Sequence, residues 1–237
     1  MRVFLAGTLL VVALVVAGCG GSSPGGRTNA IGNGEALKTG QQVLTDAVTA
    51  AEAASSFRMA GTITTGGQKI GLDLTIVRGR GATGSMTLGG EKVNLIVVGK
   101  DAYMKADAAF WTRFGGSNGS AIAQLVAGKW FKFPTDNSQF GALTGFTDPK
   151  SFFDSLSTSG GAIVNKGATT YKGQSVVNIF GGEENGTLYV AATGPAYPVA
   201  ITKTGSGEGG AITFDNWNES VTLKAPSGAI DISQLGG

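Results

Sequence analysis

One motif in the sequence resembles a pattern that carries a catalytic serine in other chains. Residues 115–119 match G-x-S-x-G, which places Ser117 at the nucleophile position. A serine nucleophile needs a base, but the 237 residues include no histidine and no S-x-x-K arrangement to replace one. The carboxylates are scattered singly, apart from Glu183 and Glu184 in a glycine-rich stretch that predicts an exposed turn. We therefore interpret residues 115–119 as a loop and predict that the chain is not an enzyme.

The sequence also contains no motif that predicts a dinucleotide cofactor or a bound metal ion. Residues 79–84 and 205–210 match G-x-G-x-x-G, but both stretches lie between predicted strands, whereas a dinucleotide site needs the start of a helix. With 40 glycines in the chain, such matches are expected by chance, and hairpin turns explain them. No Cys/His ligand set and no calcium-loop spacing occurs. We predict no cofactor and no metal.

The single cysteine, Cys19, follows an export signal. Residues 3–17 are apolar apart from Gly7 and Thr8, and as a helix they would be too short for a membrane's hydrocarbon core of ~30 Å. The signal ends in Val16-Ala17-Gly18-Cys19, which resembles the lipobox of bacterial lipoproteins. This resemblance implies cleavage before Cys19 and a diacylglyceryl (palmitate-type) group on its sulfur, which anchors the protein to the extracytoplasmic face of a bacterial cell membrane. The alternative is an ordinary exported protein in which Cys19 is a free thiol.

Composition separates three segments, with residues 1–18 as the signal peptide. Residues 19–35 are the lipidated cysteine and a Gly/Ser-rich flexible tether, of which the 15 residues 20–34 have a root-mean-square reach of roughly 20–23 Å. Residues 36–237 are predicted to form one domain, since 42% of the chain is hydrophobic. A net charge of +2 is too small for a nucleic-acid binder, and we expect a monomer without a nucleic-acid partner.

Hydrophobic periodicity predicts an α+β fold. Residues 36–56 have the spacing of one helix, and from Phe57 the period changes to two, which is typical of half-buried antiparallel strands joined by glycine turns. A strand over 102–105, a short helix over 120–126 and a strand over 129–133 follow. Asp148-Pro149 predicts the start of a helix that buries Phe152, Phe153 and Leu156. The last third returns to strands, predicted over residues 176–180, 187–192, 198–204, 211–217 and 220–224.

Several segments resemble actinobacterial lipoproteins of the LppX, LprA, LprF and LprG type. The resemblance covers most of residues 57–226 and is carried by GSMTLGG at 84–90, VNLIVVGKDAYMK at 93–105, FW at 110–111, GTLYV at 186–190, YPVAI at 197–201 and ITFDNWNESVTLKAP at 212–226. It implies a large curved antiparallel β-sheet, a half-barrel akin to the periplasmic lipoprotein carriers, with helices packed on its concave face. Family members hold the acyl chains of lipids or glycolipids between sheet and helices.

The resemblance implies a function as a lipid-binding or lipid-transport protein of the cell envelope. The expected cavity wall consists of the apolar alternates of two strands and one helix, namely Leu72, Leu74, Ile76, Val93, Leu95, Val97, Phe152, Phe153 and Leu156. Core packing alone would also explain each of these residues. A non-enzymatic interaction or sensor lipoprotein with a filled core is therefore the alternative, and an envelope hydrolase using carboxylates distant in sequence is a third.

Overall fold

The computed structural model describes residues 32–136, 152, 162–181, 186–205 and 208–231. The predicted signal peptide, Cys19 and most of the tether lie outside these residues. So do Phe153, Leu156 and the turn at Glu183-Glu184.

A single open sheet of twelve strands dominates the described residues. Its spatial order is β12-β6-β5-β4-β3-β2-β1-β11-β10-β9-β8-β7, and every pair is antiparallel except β12 with β6. Together with three α-helices this is an α+β half-barrel, as the sequence predicts. The strands are β1 Ser56–Thr65, β2 Gln68–Val77, β3 Gly81–Leu88, β4 Glu91–Val98, β5 Asp101–Ala106, β6 Phe131–Pro134, β7 Ile163–Tyr171, β8 Gln174–Gly181, β9 Gly186–Ala191, β10 Pro198–Gly205, β11 Glu208–Asp215 and β12 Ile230–Asp231.

Strand register collects the apolar alternates on one face of the sheet. Met59 pairs with Leu74 of β2 and with Phe214 of β11, and the same row continues through Leu95 and Met104. Because side chains alternate along a strand, all of these point to one side, called the inner face below. All five are buried. The inner face is therefore the core of the domain.

Three α-helices of the described residues cover the inner face. They are α1 Gly40–Ala53, α2 Ala108–Phe114 and α3 Gly119–Val126. Thr39 and Gln42 form a capping box at the start of α1, and the carboxylate of Asp107 accepts a hydrogen bond from the Phe110 amide at the start of α2. The buried residues of α1 recur at three- and four-residue intervals, which is why the segment folds as an amphipathic helix.

Glycine permits the closest strand contacts. A Cβ atom on Gly84 of β3 would overlap the carbonyl oxygen of Asp73 on β2, and the φ angle of Gly84 is +151°. Gly61 of β1 is equally close to the carbonyl of Ala211 on β11. These two positions let neighbouring strands approach where a side chain would hold them apart.

Several element predictions need correction. The helix predicted over 36–56 is a 3-10 turn at Glu35–Leu37 followed by α1. Residues 220–224, predicted as a strand, belong to no strand, and the strand predicted over 129–133 begins at Phe131. The loop predicted over 115–119 includes a 3-10 turn at Gly116–Asn118. Helix α2 and strands β7 and β12 were not predicted, and β12 gives the otherwise antiparallel sheet its parallel pair.

Candidate ligand-binding face

The six predicted wall residues of β2 and β4 lie together on the inner face. The two strands flank β3 and are aligned so that Leu72, Leu74 and Ile76 occupy the same rows as their β4 counterparts Val93, Leu95 and Val97. Each of the six is at most 4% exposed. The sequence therefore located this apolar surface, and whether its residues contact a ligand stays a prediction.

Helices α2 and α3 cover this half of the face. Phe110 and Trp111 of α2 and Val126 of α3 belong to the same buried cluster as the wall residues. The ring of Trp111 stands edge-on to that of Phe131 on β6, with 5.7 Å between centroids. We call this half of the inner face the α2–α3 cluster. The contact between Trp111 and Phe131 holds α2 against the sheet.

Helix α1 covers the other half of the face. Val43, Leu44 and Ala47 of α1 pack on apolar residues of β8 and β9, among which Val177 and Val190 are fully buried. We call this second half the α1 cluster. Val48 of α1 and Ile201 of β10 are only partly buried and contact both clusters. They mark the seam where the two helix layers meet.

A row of partly exposed aliphatic residues crosses one end of the inner face. Ile63 of β1 pairs with Ile70 of β2, which pairs with Leu88 of β3. All three are partly buried and pack against the α2–α3 cluster. On the other side, Ile63 pairs with Gly210, and Gly210 with Lys203 of β10, so a lysine lies in the same row. We call Ile63, Ile70 and Leu88 the open row.

Phe152 is the one residue of the predicted helix 148–156 that the structure describes. It is partly buried, packs against the α2–α3 cluster, and its ring lies 6.0 Å from that of Phe214. Phe153 and Leu156 lie outside the described residues. Phe152 thus packs at the inner face next to Phe214 of β11, and its predicted role in a ligand-binding wall stays a prediction.

Charges gather on the opposite, outer face. Arg58 alternates with Phe57 and Met59 along β1, and its guanidinium binds Asp73 at 2.7 Å and Asp215 at 3.3 Å. These carboxylates raise the pKa of Arg58, with the hydrogen bond to Asp73 as the largest cause. Both carboxylates are thereby committed to a structural ion pair on the surface, away from the apolar face.

A surface pocket of about 350 Å³ lies beside α1, on its polar side. It is lined by Lys38, Gln41, Gln42, Thr45 and Asp46. Lys38 binds Glu35 and Asp46, each at 2.7 Å, and the hydrogen bond to Asp46 is the largest cause that raises its pKa. A polar lining of this kind does not suit an acyl chain.

The described part of the chain contains no candidate metal site and no candidate membrane-spanning helix. It holds no cluster of three or more His, Cys, Asp or Glu residues that could bind a metal ion. Within the same ranges no helix has both the length and the apolar character needed to cross a membrane. Ser117 lies exposed in the 3-10 turn between α2 and α3.

Comparison with known proteins identifies the fold. No protein-family model and no curated protein matches the sequence. Among solved structures, LprF from Mycobacterium bovis matches with a TM-score of 0.54 and 15% identity over 80% of this chain and 97% of that one. The Mycobacterium tuberculosis lipoprotein LppX matches with a TM-score of 0.52 and 15% identity over 78% of this chain and 98% of that one. The chain has the fold of these proteins, which confirms the predicted resemblance at the level of the fold.

Proposed function

We propose that this protein is a lipoprotein of the bacterial cell envelope that binds or shuttles a lipid or glycolipid. The acyl chains would lie on the inner face, between the sheet and its helices. Cys19, carrying a diacylglyceryl group, would anchor the protein to the membrane that supplies or receives the lipid. No catalytic step is part of the proposal.

The observation that carries the proposal is the open row next to the seam between two helix layers. Ile63, Ile70 and Leu88 keep aliphatic surface partly exposed beside a fully apolar core. The seam residues Val48 and Ile201 continue this surface between the two clusters. Exposed aliphatic surface that is continuous with a core is where an acyl chain can replace water.

The energetics of lipid transfer require no catalytic group. A chain of sixteen carbons gains roughly 12 kcal/mol when it leaves water, at ~0.8 kcal/mol for each buried CH₂. Movement from a bilayer to an apolar protein interior exchanges one dry environment for another, so its free energy is close to zero. A carrier needs apolar walls and proximity to the membrane.

The start of the domain is compatible with a short tether. The side-chain amide of Asn33 donates to the carbonyl of Ala191 at 2.8 Å, and its backbone amide donates to the carbonyl of Ala192 at 2.8 Å. Glu35 is buried and its backbone amide bonds the Asn33 side chain. About 14 residues then separate a lipidated Cys19 from Asn33, and a flexible chain of that length spans roughly 20 Å.

The fold likeness agrees with the proposal. LppX, one of the two similar structures, is described as a lipoprotein. Holding acyl chains in this fold is what the family resemblance implies for the present chain.

A specific observation favours a second candidate function. Leu74, Val93 and Leu95 are completely buried beneath the helices. A wall that is already packed is what a non-enzymatic interaction or sensor lipoprotein with a filled core would have. In that case the inner face stabilises the domain and the outer surface contacts partners.

Two measurements separate these functions. Native mass spectrometry of the full chain purified from its own host should show a co-purifying lipid, and the purified chain should take up fluorescent phosphatidylglycerol from vesicles. Mass spectrometry of the N-terminal peptide tests the acylation of Cys19. An unloaded protein that takes up no lipid would contradict the carrier function and favour the filled-core alternative.

A further inference from the structure

Four buried side-chain atoms of the described residues have no hydrogen-bond partner: Glu35 Oε2, Glu52 Oε1, Trp111 Nε1 and Asp215 Oδ1. Three are carboxylate oxygens, and a carboxylate can be satisfied through its second oxygen. Glu35 binds Lys38 through Oε1, and Asp215 binds Arg58 through Oδ2. Glu52 likewise is not without an interaction partner. An indole has only one polar atom, so Trp111 differs from the other three.

The indole of Trp111 is enclosed by the apolar α2–α3 cluster. The residue is 3% exposed, and its ring contacts those of Phe110 and Phe131 at centroid distances of 5.4 and 5.7 Å. A buried N–H group without an acceptor loses its hydrogen bond to water and gains nothing in exchange. Native proteins rarely retain such a donor, and each one requires an explanation.

The backbone of Trp111 lies at the tightly packed junction of α2 and α3. A Cβ on Gly115 or on Gly119 would lie 2.5 Å from the carbonyl oxygen of Trp111, so the α2–α3 junction is packed directly against this residue. The Gly115 amide also donates to that carbonyl at 2.8 Å. These contacts hold the backbone of Trp111 at the α2–α3 junction, and the rings of Phe110 and Phe131 contact its indole inside the domain.

We propose that Trp111 Nε1–H donates a hydrogen bond to a carbonyl oxygen of the bound lipid. The ligand class is then an acyl lipid whose ester or amide group lies inside the domain. This inference depends on the proposed function and deepens it. It adds a polar contact that fixes how far the acyl chain enters the α2–α3 cluster.

The surroundings of Trp111 favour a neutral acceptor over a carboxylate. Glu35 and Ser56 are the buried polar or charged residues of the described part, and neither belongs to the α2–α3 cluster. A carboxylate would therefore enter an apolar cluster that offers no buried cation, which is unfavourable. An ester or amide carbonyl accepts the hydrogen bond without bringing a charge, so we expect an acyl ester or amide to bind better than a free fatty acid.

The test compares two lipids that differ in one carbonyl. The full chain, as wild type and as Trp111→Phe, is titrated with 1-palmitoyl lysophosphatidylglycerol and with the 1-hexadecyl ether analogue, which lacks the ester carbonyl. We expect Trp111→Phe to weaken binding of the ester about 5- to 20-fold, the effect of one hydrogen bond in an apolar site. Binding of the ether should change less than twofold. Trp130→Phe, at a partly buried tryptophan outside the two helix-covered clusters, is the matched control and should affect neither lipid.

A second measurement does not depend on how well the variant folds. In the wild-type chain, the Trp111 indole ¹H–¹⁵N resonance should move downfield when the ester is added and not when the ether is added. An equal loss of both lipids in Trp111→Phe, or an indole resonance that the ester does not move, would overturn the donor role. A resonance already downfield without lipid would assign the acceptor to a buried water and would also overturn it. A wild-type chain that binds neither lipid would overturn the proposed function itself.

Discussion

The ring of Tyr197 lies flat on that of Trp217, with centroids 4.4 Å apart and planes within 4° of parallel. Phe57 also stacks on Trp217, with 4.9 Å between the ring centroids. The side chain of Asn218 makes two further hydrogen bonds here. Its Nδ2 donates to the Tyr197 hydroxyl at 2.7 Å, and its Oδ1 accepts from the backbone amide of Ser55 at 2.8 Å. We call Phe57, Tyr197 and Trp217 the aromatic clamp. It joins the start of β1 to the segments flanking β10 and β11, at the centre of the sheet.

We expect removal of the clamp's central ring to destabilise the domain. Trp217→Ala should lower the free energy of unfolding by about 2–4 kcal/mol, because a large, partly buried ring loses two stacking partners. Trp217→Phe keeps an aromatic ring and should cost less than half as much. Urea unfolding followed by circular dichroism measures both. Equal losses in the two variants would show that stacking is not what Trp217 contributes.

The strands that the sequence predicts well are those with one buried face. From Ile70 to Ile76 of β2, apolar residues alternate strictly with polar or small ones, and from Val93 to Val98 of β4 buried residues alternate with partly buried ones, because only one side of each strand meets the helices. The turns between β1 and β2 and between β3 and β4 are glycine pairs with positive φ angles, such as Gly66 and Gly67. In these hairpins the two-residue hydrophobic period and the glycine turns both indicate antiparallel strands, and the structure has strands there.

Local sequence patterns do not identify β7, and they wrongly indicate a strand at residues 220–224. Strand β7 forms one end of the sheet and is largely exposed, and one of its inner positions is Asn165, whose side chain bonds the carbonyls of Glu35 and Lys38. The local sequence around Asn165 does not predict hydrogen bonds to residues about 130 positions earlier in the chain. Residues 220–224 show the opposite failure. They alternate like a strand, but the preceding strand β11 already has β1 and β10 on its two sides, so no neighbouring edge is free.

The candidate site was predicted in part for the same reason. Alternation identifies Leu72 and Val93 as inner-face residues, but it does not indicate which end of a row the helices leave uncovered. Ile63 and Leu88 have the same pattern as the buried residues and differ only in tertiary coverage. The unpaired indole of Trp111 is likewise a property of packing, which a sequence does not display.

We expect Gly84→Ala to be much more harmful than an alanine at a turn glycine. The new Cβ at Gly84 would overlap the backbone of Asp73 inside the sheet. The Cβ of Gly67→Ala has no atom within 4 Å, so the only cost to stability there is the unfavourable φ angle of +73°. Gly84→Ala should cost at least about 3 kcal/mol or prevent folding, and Gly67→Ala about 1 kcal/mol. Thermal unfolding of the two variants checks this. Similar melting temperatures would contradict the close approach of β2 and β3.

The ion pair of Lys132 should contribute stability that depends on pH. Its ammonium lies 3.2 Å from Asp101 and 3.9 Å from Asp231 of β12, and the hydrogen bond to Asp101 is the main cause that raises the lysine pKa above 10.5. A raised pKa in the folded state means that the stabilisation is fully present below pH 10.5 and is lost as the pH rises through the folded-state value. The difference in unfolding free energy between wild type and Lys132→Met should therefore be constant from pH 7 to 9 and shrink above pH 10.5.

Lys129→Met provides the control for that series, because Lys129 is exposed and makes no ion pair among the residues described. Its difference from wild type should stay near zero across the same range. A Lys132→Met difference that grew with pH would contradict the stated direction of the pKa shift.

The open row should control lipid uptake more than it controls stability. Ile63→Gln places an amide on the partly exposed edge of the inner face, so an acyl chain entering there would have to cover a polar group. We expect uptake of fluorescent phosphatidylglycerol from vesicles to fall at least about threefold, while the free energy of unfolding changes by about 1 kcal/mol or less, because Ile63 is only partly buried. Val164→Gln introduces the same amide on the end strand β7, at a residue that is 44% exposed, and should leave uptake unchanged. If both variants reduced uptake equally, or if neither did, lipid entry would not pass over Ile63.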